Sequence, residues 1–310
     1  ALAALVYGLI LSISDGWGSA LVDSSLGVAV ALLIAFAFVE RRTKAPMFDF
    51  GLLRVPTFNG GLLAAFAISG GLFALFTFIT IYLQDILRLS AIGTGVRFLP
   101  LSAAIFVTSG IAGRLTTRVP RRLLITPGFV LIGVGLMLMR GLTPQSTWTH
   151  ILLGLIIAGV GAGLVNVPLA STAVGVVDPA RAGMASGINA TFRQAGIATG
   201  VATLGTIFAT EVRSGVAGAL SGTPLAGHAG RITHAITNGT AQQAIASTPP
   251  SLRGAVVLAT RTGFVDGLNL IFLVAAILSF VGAIATFLLV REQDFVAIPQ
   301  RESEPQPAVA

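Results

Sequence analysis

The sequence predicts an all-α integral membrane protein with eight transmembrane helices, the first of them truncated. Three observations carry this reading. Hydrophobic residues make up 54% of the 310 and charged residues only 10%, with a mean hydropathy of +0.89; a soluble domain of this size would lack the charged surface that covers a core. The apolar residues fall in runs of membrane length, about 20 residues for a helix rising 1.5 Å per residue. The basic residues fall between those runs, in short clusters of the kind that hold a chain at the cytoplasmic membrane face. The net charge of +7 is therefore read as topology, and no nucleic-acid partner is expected. With no cysteine in the chain, disulfides, thiolate metal sites and cysteine nucleophiles are excluded. His150, His228 and His234 fall in or beside loops, so no metal site is expected of them, and no cofactor is expected.

Each element follows from its apolar run. The first, Ala1 to Ile13, ends at the DGWGS turn and is too short to span; it is expected to continue a segment that precedes Ala1. No basic stretch precedes it, which argues against a signal peptide. The second span, Leu21 to Val39, is closed by Glu40-Arg41-Arg42-Thr43-Lys44, and a proline-containing linker follows to residue 57. The third to eighth spans are Phe58–Leu83, Val96–Leu115, Leu123–Met139, Trp148–Val177, Met184–Ala209 and Gly263–Val290. Helices apolar on all sides give no strong periodicity, so these bounds rest on hydropathy and length.

Arg41, Arg42, Lys44 and Arg54 lie between spans two and three, and Arg114, Arg118, Arg121 and Arg122 between four and five. The positive-inside rule puts those loops, the 178–183 turn and the tail after Arg291 in the cytoplasm. The chain is expected to be multi-pass in the cell membrane, with a cytoplasmic C-terminus. Residues 211–262 form a long outer loop, rich in Gly, Ser, Thr and Pro, that reads as an irregular or partly helical excursion. Asn238-Gly239-Thr240 matches a glycosylation sequon, a three-residue pattern common by chance. Residues 291–310 read as a disordered cytoplasmic tail.

The residue that stands out is Arg193, about ten residues and ~15 Å into the seventh span. A charge there costs at least ~2.5–3.5 kcal/mol on insertion scales. Ser186, Asn189 and Arg193 share one helical face, which Gly196 and Gly200 continue, and Gln194 adjoins it. On the sixth span, Gly159, Gly161 and Gly163 precede Asn166 and Pro168. Because spans six and seven are antiparallel neighbours, Asn166 and Arg193 are expected at matched depth, as partners across a cavity for a small molecule. The alternatives are a helix–helix hydrogen bond for Asn166, a clamp on backbone carbonyls for Arg193, and packing or kinking roles for Gly159, Gly163 and Pro168. Phe66, Phe73 and Phe76 on the third span offer an aromatic wall for a lipophilic or cationic substrate, or pack against lipid.

The loop Gly113-Arg114-Leu115-Thr116-Thr117-Arg118-Val119-Pro120-Arg121-Arg122 resembles the cytoplasmic G-x-L-x-D-R-x-G-R-R motif of the major facilitator superfamily. With the GVGAG-x-x-N-x-P run, DPARAGMASGINATFRQAG, DGWGS, ERRTKAPMFDFGLLR and TIYLQDILRLSAIGTG, the chain is similar to the C-terminal part of a fourteen-helix drug:proton antiporter. The resemblance implies that residues 1–57 are a central inserted helix pair with its linker and that residues 58–290 are the C-terminal six-helix bundle of a major facilitator fold. It further implies multidrug efflux, partnership with an N-terminal six-helix bundle absent from this chain, and a cavity lined by spans three, four, six and seven. Thr117 replaces the motif's acid and Pro120 its second glycine, which puts a charge-relay role of Gly113, Arg114, Arg118, Arg121 and Arg122 in question.

Proton coupling needs a membrane carboxylate with raised proton affinity. No acid is central here; Asp266 and Asp85, toward the outer face, are the local candidates, with capping of the eighth span as the alternative role of Asp266. Three function classes are therefore in play: a secondary exporter of lipophilic or cationic drugs, or of another metabolite or lipid; a membrane enzyme such as a lipid-linked transferase; and a non-transporting membrane fragment. Against the enzyme stands the lack of clustered Asp, His, Glu or Cys within the spans.

Overall fold

The computed structural model describes residues 2–15, 18–43, 48–237 and 240–295, by backbone alone at 2, 9, 10, 12–15, 73 and 74. These residues form α1 (Leu2–Asp15), α2 (Ala20–Glu40), α3 (Pro56–Ile81), α4 (Ala91–Leu115), α5 (Arg122–Met139), α6 (Thr149–Gly175), α7 (Ala182–Leu220), α8 (Ala229–Thr237), α9 (Ala241–Ala246) and α10 (Arg253–Leu289). All but α1, α8 and α9 are long and apolar enough to cross a membrane, seven helices among the described residues. The chain is thus an all-α membrane protein, with α10 as the predicted eighth span. Gly16 and Trp17 of the first turn, Asn238 and Gly239 of the sequon, the Phe73 side chain and the tail beyond 295 lie outside the described residues.

Local chemistry sets the helix starts. Pro56 occupies the first turn of α3, where its missing N–H is not needed. The Ser90 hydroxyl accepts from Gly93 N at 3.0 Å to cap α4, and Asp178 caps the turn before α7 by accepting from Ala180 N at 2.8 Å. In sequence of contact the bundle runs α4, α6, α5, α10, α7, α3, with α3 also against α10. Glycines set how closely these helices approach. A Cβ on Gly135 of α5 would lie 2.6 Å from the Gly154 carbonyl oxygen of α6, and one on Gly163 of α6 would lie 2.8 Å from the Ile105 carbonyl oxygen of α4. Such backbone approach substitutes for the hydrophobic driving force that a bilayer does not provide. α1 and α2 form a hairpin that meets the bundle where α1 contacts α7. The outer side of α4 is bare, with Phe106 and Ile92 each 82% exposed, as suits a surface turned to lipid or to another apolar partner.

Hydropathy misplaces two helix ends by ten residues or more. α7 runs eleven residues past the expected end at Ala209, to Leu220, and α10 begins ten residues before Gly263, at Arg253. The outer loop expected over 211–262 therefore shrinks to Ser221–Leu252, within which α8 and α9 are folded. The reason is a stripe that hydropathy averaging hides: Val212, Val216 and Leu220 on α7 and Val256 and Ala259 on α10 are all buried, spaced to face one another along the two helices. Glu292–Asp294, expected to begin a disordered tail, forms a 3₁₀ turn instead, where its acids find partners in Thr57 of α3 and in Arg121, the residue before α5.

Candidate functional site

α6 and α7 both carry polar side chains into apolar helices. Asn189 on α7 is 8% exposed, and its amide Nδ2 has no hydrogen-bond partner among the described residues. Arg193, one turn on, and Asn166 on α6 are half-buried. Among the described residues neither has a hydrogen-bond or ion-pair partner, so the expected Asn166–Arg193 pair is not joined by a direct bond. An unpaired buried polar group costs about 1–3 kcal/mol, which makes this side of α7 chemically open rather than structurally satisfied. Gln194 and Ser186 are exposed.

The polar and glycine stripe divides between two duties. Gly196 and Gly200 press on the backbone of α3 at Phe66 and Gly70, so they are the α3 contact rather than a cavity lining. At 100° per residue Arg193 stands at the edge of that contact. Phe76 is not an open wall: its ring centroid lies 5.3 Å from that of Phe98 on α4, over a narrow apolar cleft. Gly159 and Gly163 meet the α4 backbone at Leu101 and Ile105, whereas Gly161 meets Gly128 of α5, so alternate glycines serve two neighbours. Pro168 is buried in α6, which runs through it without interruption; its carbonyl accepts from the hydroxyls of Ser171 at 2.9 Å and Thr172 at 2.7 Å.

At the basic end of the bundle Gly113 faces Val167 at van der Waals distance, and Arg114, Arg118 and Arg122 are exposed. Arg121 is different. Its backbone N–H donates to Glu292 Oε1 at 2.6 Å, its Nη1 lies 3.7 Å from Glu292 Oε2, and its guanidinium carbon sits 3.8 Å from the Phe295 ring centroid. Its Nε donates to Ser171 Oγ on α6 at 3.3 Å. Beside it the buried Thr57 hydroxyl meets Asp294 Oδ2 at 2.7 Å and accepts from Arg291 N at 2.7 Å. Arg121 of the loop is thus paired with one acid after α10, Glu292. A second tie, Arg181 Nη1 to Asp49 Oδ2 at 2.8 Å, joins the start of α7 to the 3₁₀ turn before α3. None of Thr57, Glu292 or Asp294 was anticipated; the available sign was two acids within five residues of the last helix, opposite an arginine cluster. Thr57→Val is expected to leave the Arg291 N–H and the Asp294 carboxylate short of a partner, costing about 1–3 kcal/mol. Thermal unfolding in detergent checks this, with Thr57→Ser expected to restore most of the loss.

Asp266 lies thirteen residues inside α10, so it does not cap that helix; its Oδ2 faces Gly215 of α7. Asp85 belongs to a π-helical turn, Tyr82–Ile86, that ends α3, and its backbone carbonyl accepts from Gln242 Nε2 of α9 at 2.7 Å. Neither carboxylate belongs to the Asn189–Arg193 region.

Residues 1–201 match the family described as the Major Facilitator Superfamily. The chain is 40% identical over 210 residues to puromycin resistance protein pur8 of Streptomyces alboniger, covering 66% of this chain and 42% of that one. It is 31% identical to multidrug resistance protein Stp of Mycobacterium tuberculosis, strain ATCC 25618 / H37Rv, over 67% of this chain and 39% of that one. It is 33% identical to cephamycin export protein CmcT of Amycolatopsis lactamdurans, over 66% and 43% respectively. The matched stretch amounts to about two fifths of the length of each of these relatives. By the family match over most of its length, the chain belongs to the Major Facilitator Superfamily.

Proposed function

We propose that the chain forms the C-terminal portion of a secondary transporter that exports lipophilic or cationic drugs in exchange for protons, by alternating access. The observation that carries this is the unsatisfied polar side of α7, Asn189 and Arg193, within an apolar helix. Polar groups kept unpaired in the membrane are explained by a ligand or a moving partner that completes them in another state. The names of the relatives, puromycin resistance and multidrug resistance, support drug efflux; cephamycin export supports a second reading, release of a natural metabolite through the same machinery.

In this reading the clustered arginines place the basic end and the C-terminus in the cytoplasm. An N-terminal six-helix bundle faces α3, α4, α6 and α7 across the pathway. Coupling carboxylates lie in that bundle, with Asp266 and Asp85 as outer, secondary proton acceptors. The test is dye export. In inverted vesicles carrying the protein joined to such a bundle, an imposed proton gradient is expected to drive ethidium accumulation that collapses with an uncoupler. Normal insertion without gradient-dependent movement of ethidium or of puromycin would overturn the exporter assignment.

A further inference from the structure

At the end of the bundle opposite the arginine loop, α7 and α10 project beyond what a bilayer needs. α7 has 39 residues and α10 has 37, lengths of about 58 and 55 Å against a hydrocarbon layer of about 30 Å. α8 and α9 close the tip, and between them and the start of α10 lies a cavity of about 780 Å³, a size suited to small molecules.

Its chemistry is one-sided. His228, Arg231 and His234 recur every three residues along one side of α8 and the turn before it, and all three line the cavity. None has a side-chain hydrogen bond or ion pair among the described residues. Among the described residues no acid lines the cavity; Leu225, Ile232 and Val256 provide an apolar floor, and these three are buried. Two of the chain's three histidines therefore stand with a free arginine over an apolar base. That arrangement matches a molecule with an anionic head and an apolar body: a guanidinium and two imidazoles can bond a carboxylate or sulfonate, while the floor takes the hydrocarbon.

We propose that this cavity binds an amphiphilic anion, its head on His228, Arg231 and His234 and its apolar part on Leu225, Ile232 and Val256. The site is separate from Asn189 and Arg193. Leu220 lies about 27 residues and ~40 Å along α7 from Arg193. The tip therefore stands clear of the hydrocarbon layer, and the occupant comes from the aqueous phase rather than from the surrounding lipid.

The test uses the whole chain in nanodiscs of zwitterionic lipid, titrated calorimetrically with naphthalene-2-sulfonate. Saturable one-site binding is expected, weakened at least about tenfold by Arg231→Glu and several-fold by His234→Ala. Naphthalene-2-methanol, which has the same apolar body and no charge, is expected to bind at least about tenfold more weakly than the sulfonate. Arg231 and His234 are exposed, so both variants should keep the parent's thermal unfolding. Absence of saturable binding, or equal affinity in Arg231→Glu, would overturn the proposal. Discs containing anionic lipid should leave the affinity unchanged; competition by that lipid would assign the cavity to a headgroup and overturn the aqueous placement.

Discussion

Replacing Gly200 with leucine is expected to cost the bundle at least about 3 kcal/mol and to cut the yield of folded protein several-fold. At this crossing the atoms nearest a Cβ on Gly200 are all backbone atoms of Gly70, and those nearest one on Gly196 are all backbone atoms of Phe66. A flexible side chain could swing aside, but a helix backbone moves only as a unit. α3 cannot retreat freely, since it also packs on α10 and α6. Two glycines at the mouth of the same helix provide the opposite expectation. Among the described residues Gly183 and Gly187 have nothing within 4 Å of the point where a methyl group would stand, so alanine there should stabilise α7 by about 0.4–1 kcal/mol through loss of unfolded-chain freedom. Thermal unfolding of the three single variants in one detergent decides the matter. Equal behaviour of the Gly200 and Gly187 variants would mean that the α3–α7 crossing is not a backbone contact.

This contrast marks the limit of what a glycine pattern says in advance. The spacing of Gly183, Gly187, Gly196 and Gly200 is legible as a small-residue face, yet only the second pair meets another backbone. Which turn of a helix touches its neighbour depends on the crossing point, and that is set by both helices together. The class of fold was readable because hydropathy is a property of composition, and runs such as Leu123–Met139 fall within one residue of α5. The ends of α7 and α10 were not. Glu211, Arg213 and Arg261 lower the average there, while the buried Val212, Val216 and Leu220 keep a helical period that a membrane-length window does not register. The clasp of Thr57, Arg121, Glu292 and Asp294 was hidden for another reason. Its members are separated by up to 237 residues, and nothing local to any of them names its partner. Arg193 and Asn189 were readable because a polar group in an apolar helix is anomalous wherever the helix packs.

The second large effect concerns those two residues. Asn189→Leu is expected to keep or raise thermal stability, by up to about 1 kcal/mol, while lowering gradient-driven export at least about tenfold. The amide nitrogen is buried without a partner among the described residues, so leucine, which branches at Cγ as asparagine does, removes a desolvation cost and breaks no hydrogen bond of that nitrogen. A residue kept for folding would behave in the opposite way. Arg193→Ala should likewise leave membrane levels near those of the parent and reduce export, because among the described residues no ion pair or hydrogen bond of Arg193 is there to be lost. Arg193→Lys retains the charge but not the planar fork of donors, and it separates two roles. Recovered export in the lysine variant would assign Arg193 an electrostatic task in the pathway. Export lost in both, with stability intact, would assign it a bidentate contact made only in another state of the transport cycle. If instead both Arg193 variants and Asn189→Leu lose stability in parallel with export, the polar side of α7 is a clamp between helices, and the pathway lies elsewhere on the bundle.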